Sequence, residues 1–191
     1  MKKGVVMVKQ LKEEVRNKME KSLEALRHEF AQIRTGRASP ALLDAVRVEY
    51  YGTTVPISHV ASISTPEARL LVIQPWDKGM IPAIEKAILS SDLGITPSND
   101  GTVIRLSIPP LTEERRKELV RIVRRLAEDA RVAVRNIRRD AVERLRKAQK
   151  EGELSEDESR RAQKEVQDIT DEYIAKVEEA LTQKEAEILE E

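Results

Sequence analysis

L119-V-R-I-V-R-R-L-A-E-D-A-R-V-A-V-R-N-I-R-R-D-A-V-E-R-L-R-K-A148 runs without a proline or a glycine. Its apolar positions, Leu119, Ile122, Leu126, Ala130, Ala133, Ile137, Ala141, Leu145 and Ala148, step by three or four. That period predicts an amphipathic helix of about eight turns. Thr112, followed by Glu113 and Glu114, supplies an N-cap and an acidic first turn. The apolar stripe is narrow, so the helix needs partners to bury it.

Two other segments offer the same stripe. Leu11, Val15, Met19, Leu23, Leu26, Phe30 and Ile33 precede it, and Ala162, Val166, Ile169, Tyr173, Val177, Ala180 and Ile188 follow it. Ser155-E-D-Glu158 is a capping-box pattern at the start of the last helix. Gly152 leaves only a short link before it, so the second and third helices should be antiparallel neighbours. Three such stripes closing on one seam predict a three-helix bundle over 1–35 and 110–191.

All eight prolines fall between positions 40 and 110. Proline costs about 3 kcal/mol inside a helix, so long helices belong outside that window. Within it, V46-R-V-E-Y-Y, R69-L-L-V-I and T102-V-I-R-L-S-I read as strands, and I81-P-A-I-E-K-A-I-L as one short helix. Asn99-Asp100-Gly101 marks a turn before the last strand. Residues 36–109 are thus expected to form a small α/β domain inserted into the bundle. The fold class is α+β, two domains in an elongated L. Its connections, 34–40 and 107–112, would lie side by side, and Gly36 with Pro109-Pro110 makes a hinge there credible.

The 191 residues carry 34 basic and 34 acidic side chains, and 36% of the chain is charged. Segment by segment the balance is uneven: +5 over 1–39, −2 over 40–112, +6 over 113–147 and −10 over 151–191. Wound at 100° per residue, Lys117, Arg121, Arg124, Arg131, Arg138, Arg139 and Arg146 fall within about 60° of Arg135. This basic stripe is about 45 Å long, and the expected apolar seam lies opposite, between about 140° and 240°. Ion pairs to the acidic third helix would explain such a stripe. Its arginine dominance points instead to phosphate recognition, because the planar guanidinium donates in pairs. Few aromatics are present to stack bases, so folded RNA read through backbone and shape suits it better than a single strand.

Other classes lack their residues. Cysteine is absent, which removes disulfides, thiolate metal sites and cysteine nucleophiles. No phosphate-cradling glycine loop, G-x-S-x-G or H-E-x-x-H occurs. His28 and His59 fall in different expected domains, and the carboxylate runs lie on a solvated helix face. Trp76 and Tyr50-Tyr51 read as core or rim of the small domain. No catalytic residue, metal site or cofactor is expected. No run approaches the ~20 apolar residues of a membrane span. The first apolar run stops at Val8, too short for a signal segment, so a cytoplasmic protein is expected.

The motifs R34-T-G-R-A-S-P, L42-L-D, V48-E-Y-Y-G, E85-K-A-I, S91-D-L-G, P109-P-L-T-E-E-R-R-K and A130-R-V-A-V-R-N-I-R-R-D resemble the bacterial ribosome recycling factor family. S155-E-D-E and K184-E-A-E extend the match, which runs from about Lys9 to Leu189. About six residues precede Met7, where members of the family usually begin. The resemblance implies disassembly of the post-termination ribosome with elongation factor G and GTP, release of mRNA, and no bond chemistry in this chain. It implies a monomer whose bundle lies on large-subunit ribosomal RNA near the peptidyl-transferase region. By the same resemblance Arg116, Arg135 and Arg138 contact that RNA; Arg131 and Arg139 of the basic stripe and Arg34 are expected to join them. The hinge would be built from Arg34, Thr35, Gly36, Arg37, Pro109 and Pro110. An adaptor that pairs through the acidic helix and a general RNA chaperone are the rival readings.

Overall fold

The computed structural model describes residues 3–189; positions 1, 2, 190 and 191 of the expected bundle lie outside the described residues. Its contacts fall into two compact units, one of residues up to Ile33 and from Glu113 onward, the other Arg34–Thr112.

The first unit is built from three helices, α1 (Lys3–Gln32), α3 (Glu113–Lys150) and α4 (Glu156–Leu189). Lys12–Glu165 and Arg16–Glu172 pair α1 with α4 in ascending order, so these two run in the same direction. Arg124–Glu185 and Arg131–Glu178 pair α3 with α4 in descending order, so α3 runs against them. The seam is apolar throughout: Met19, Val134, Val166 and Val177 are all fully buried. Between α3 and α4 the chain reverses at Gly152, whose φ is +77°. The Gly152 and Glu153 amides donate to the carbonyls of Gln149 and Ala148, closing the helix end. Buried Leu154 then folds back, and Ser155 Oγ accepts from the Glu158 amide as the capping pattern requires. Gly4 lets the first turn of α1 lie against this loop. A Cβ there would stand 2.8 Å from Leu154 Cδ2 and 2.9 Å from the Glu153 carbonyl oxygen.

The buried stripe of α3 differs from the expected one. Ile122, Leu126, Ala133 and Ile137 are only half-buried, while Val123, Ala127 and Val134 are fully buried. The buried arc centres about 240° from Arg135, roughly 50° beyond the expected seam. A helix in a three-helix bundle faces two neighbours, and its apolar stripe widens beyond the three-four ladder. Similarly, Leu181 takes the buried place expected of Ala180, and Ile33 lies half-buried just past the end of α1.

In the second unit, β3 (Ala61–Glu67), β4 (Leu70–Pro75), β5 (Ser98–Asn99) and β6 (Ile104–Ser107) form an antiparallel sheet in the order β3-β4-β6-β5. A separate hairpin joins β1 (Arg47–Tyr50) to β2 (Thr53–Pro56). Ile81, Ile84 and Ile88 of α2 (Ile81–Leu89) pack with Val48, Leu71, Ile73, Ile104 and Leu106 in one core. Three expected strands and the helix are present; β2, β3 and β5 are additions. The new strands are proline-bearing, serine- and threonine-rich, or only two residues long. Pro66 is tolerated because β3 is an edge strand, and the register shifts between Ser64 and Glu67. Tyr51 and Gly52 turn the hairpin with φ of 45° and 78°, the double positive φ of a type I′ turn. The aromatics there are not core: Tyr51 is 85% exposed and Trp76 70%.

Asp100 organises the β5–β6 turn. Its Oδ1 accepts from the Thr102 and Val103 amides, and its Oδ2 accepts from Arg105 at 2.9 Å. The two amides and Arg105 hold its carboxyl down to about 2.

Two outcomes follow for this fold. Met19→Ala should destabilise the bundle by about 2–4 kcal/mol, because it leaves a cavity in a sealed seam. In urea unfolding, Val132→Ala on the exposed face should change stability by less than about 0.5 kcal/mol. Equal effects would mean the seam is not where stability resides. The Asp100 turn should be intact above the ordinary aspartate value of about 3.9 and weaken as pH falls through about 2, since its folded carboxyl is the more acidic one. A side-chain carboxyl NMR titration with a midpoint near 4 would contradict this.

Candidate nucleic-acid interface

Because the buried arc of α3 is rotated toward Arg131 and Arg138, one edge of the basic stripe leans on α4. Arg131 keeps only 15% of its side chain exposed and bonds Glu178 of α4 and Glu128 of its own helix. The Glu178 bond, opposed by burial and aided by Glu128, raises its pKa above the usual arginine value. Arg124 Nε donates to Glu185 at 2.6 Å and is raised in the same way. Arg138 is half-buried and donates to Gln167 Oε1 at 3.2 Å. These three arginines thus lean toward α4.

The other edge is open. Arg121, Arg125, Arg139 and Arg146 are exposed, and among the described residues they meet no carboxylate. Arg135 touches one only loosely, with 3.6 Å between its Nη1 and Glu128 Oε1. Lys117 pairs with Glu113 at 3.1 Å, both well exposed. Exposed pairs of this kind are worth under about 1 kcal/mol, so Lys117 and Arg135 can exchange such a partner for a phosphate. On the α1 side the ridge ends at Arg144, which donates to Glu14 at 2.7 Å; Arg144 and then Lys18 lower the Glu14 pKa.

The sequence-predicted residues therefore separate. Arg135 and Arg139 stand together on the open edge. Arg131 and Arg138 stand on the edge held by α4. Arg116 is half-buried near the start of α3, and exposed Arg34 follows α1. Arg125 was outside the expected stripe, at about 80° from Arg135. Its side of the helix gains importance only once the side taken by α4 is known.

The expected hinge residues have a definite geometry. The Ala38 amide donates to the Ala68 carbonyl at 2.7 Å, and the Ile108 amide to the Arg69 carbonyl at 2.8 Å. Both connections are thus tied to the β3–β4 turn. Gly36 has φ +78°, and a Cβ there would lie 3.2 Å from Leu111 Cγ. Thr35 is half-buried, while Arg37, Pro109 and Pro110 are exposed.

Among the described residues no three or more His, Asp or Glu side chains are placed to hold a metal ion. His28 meets Gln32 along α1 at 3.1 Å, and His59 is exposed in a 3-10 turn. No described helix is long and apolar enough to cross a membrane. The acidic α4 is engaged with its neighbours: Glu165 with Lys12, Glu172 with Arg16, Glu178 with Arg131, and Glu185 with Arg124. Arg16 and then Lys176 lower the Glu172 pKa.

Known proteins share this pattern. The family model described as ribosome recycling factor matches residues 26–189. A ribosome-recycling factor from Carboxydothermus hydrogenoformans is 60% identical over 183 residues, 96% of this chain and 99% of the relative. One from Shouchella clausii is 57% identical over 184 residues, 96% of this chain and all of the relative. A solution structure of a ribosome recycling factor, 44% identical, superposes with a TM-score of 0.73 over 95% of this chain and 97% of that one. A chain from models of the T. thermophilus ribosome recycling factor and E. coli elongation factor G bound to the E. coli post-termination complex is 55% identical. Its TM-score is 0.64 over 95% of this chain and 98% of that one. From its motifs, its two units and these relatives, the chain belongs to the ribosome recycling factor family.

Proposed function

We propose that this chain takes apart the ribosome left after termination, acting with elongation factor G, whose GTP hydrolysis supplies the work, and freeing the mRNA. Membership of the family supports the activity, and the relative placed with elongation factor G on a post-termination complex supports the partner. The chain makes and breaks no covalent bond; it works in the cytoplasm as a monomer, by binding and displacement.

The observation that carries the mechanism is the open edge of α3, with Arg121, Arg125, Arg139 and Arg146 free of carboxylates among the described residues. Burial of the opposite face holds these side chains on a rigid rod, so their spacing is set before RNA arrives. Together with loosely paired Arg135 they anchor the bundle on large-subunit RNA near the peptidyl-transferase region, chiefly through phosphates. Arg131 and Arg138 stand beside them and, through α4, keep the rod straight against its load. Arg116 and Arg34 extend the contact toward the connections. The α/β domain, bundle-free over 36–109, then pivots on 34–40 and 107–112. Force applied to it by the GTPase passes through the bundle to the contacts between ribosomal subunits. An adaptor working through α4 fits less well, because Glu165, Glu172, Glu178 and Glu185 are paired within the bundle and family membership supports the recycling activity instead.

Two measurements test this. Arg139→Ala should weaken binding to purified large subunits about three- to tenfold near 0.1 M salt, and the slope of log affinity against log salt should fall by about one. Wild-type affinity and slope in that variant would remove the phosphate anchor. Gly36→Ala places a Cβ against Leu111 at a positive φ, so the connection can no longer adopt its resting shape freely. It should bind subunits within about twofold of wild type, yet split 70S particles several-fold more slowly in the presence of elongation factor G and GTP. Splitting at the wild-type rate would remove the pivot.

A further inference from the structure

On the open face of α3 the side chains change character across one helical ridge. Arg121, Arg135 and Arg139 lie along one line; beside it, toward α1, lie Arg125, Val132 and Asn136, flanked by Asp129 and Asp140. Val132 is 45% exposed, and along the described bundle it is the exposed large apolar side chain that is not near a helix end. It stands about 180° from the centre of the buried arc, so no core demands it. Asn136, one turn later, is exposed and bonds no described residue. Both are weaker helix formers than the Lys, Glu or Ala that would serve a merely solvated position.

Their surroundings select the ligand chemistry. Arg125 lies about 16 Å back along the helix from Asn136, whereas Asp140, one turn on, and Asp129 disfavour phosphate beside Asn136 itself; a nucleobase is neutral and carries donors of its own. An asparagine amide both donates and accepts, the complement of adenine N7 and its N6 amino group. A valine side chain offers an apolar surface to a base face. In folded RNA such edges are reachable where bases are unpaired, in loops and bulges. The neighbouring Arg135 and Arg139 would lie on the adjoining phosphates.

We propose that Asn136 reads one unpaired adenine of the large-subunit RNA through N6 and N7, with Val132 against its face. This rests on the reading of α3 as the RNA anchor and adds a base-specific contact to a phosphate-based one. It makes the ridge a register pin: phosphates repeat along the RNA, but the chosen adenine does not.

Diethyl pyrocarbonate, which attacks adenine N7, tests the contact on purified large subunits, and hydroxyl radicals report the ribose footprint on the same complexes. Wild-type protein should protect one unpaired adenine. Saturating Asn136→Ala or Asn136→Asp should leave that adenine reactive while the ribose footprint persists. Asparagine 136 is exposed, so both variants should fold. Asn136→Ala should bind about tenfold more weakly, with an unchanged salt slope, unlike Arg139→Ala. Protection of the same adenine by the variants, or a wild-type ribose footprint with no protected adenine, overturns the base contact alone. Absence of any wild-type ribose footprint on the subunit overturns the anchor itself.

Discussion

Burial of three narrow apolar stripes in one seam is the constraint on which the rest depends. None of α1, α3 or α4 could hide its stripe alone, and together they exclude water from Met19, Val134, Val166 and Val177. Each of these long helices is mostly solvated, so its charges are distributed by where the partners sit, not by its own sequence. When α4 packs beside α3, it takes Arg124, Arg131 and Arg138 with it. What remains exposed is the complementary edge. The hydrophobic seam thus decides which arginines lean on α4 and which stand clear of it.

A net charge of zero conceals this division. The α4 carboxylates neutralise the near edge of α3 and the facing side of α1, through Glu165, Glu172, Glu178 and Glu185. These pairs are half-exposed, and each contributes little to stability. Their larger effect is on the field: they remove positive charge from one side of the bundle and leave it on the other. The excess positive charge of α3 therefore lies along one side of the rod, and salt screens its field over about 8–10 Å.

Much of the architecture was legible in the sequence because it rests on local signals. The α1 stripe from Leu11 to Phe30 is buried as read, and the Gly152 turn and Ser155 cap lie where glycine and serine require. The proline window holds the α/β unit for the same reason. Less legible was anything set by a neighbour. β3 is a strand because β4 pairs with it, although Ser62, Ser64 and Pro66 give it no strand signature. The buried face of α3 turned by about half a helical step because two helices, not one, lie against it. That rotation is what separated Arg131 and Arg138 from Arg135 and Arg139, and no periodicity count on a single helix contains it.

The small unit poses the opposite problem to the bundle. Its core is its own, with Val48, Leu71, Ile73, Ile84 and Ile104 fully buried in one cluster. Its two connections are tied to one turn by the Ala38–Ala68 and Ile108–Arg69 hydrogen bonds. Tying both strands to the same turn fixes their spacing where they enter the small unit. Gly36 supplies the positive φ on one strand, and Pro109-Pro110 stiffens the other without offering amide donors.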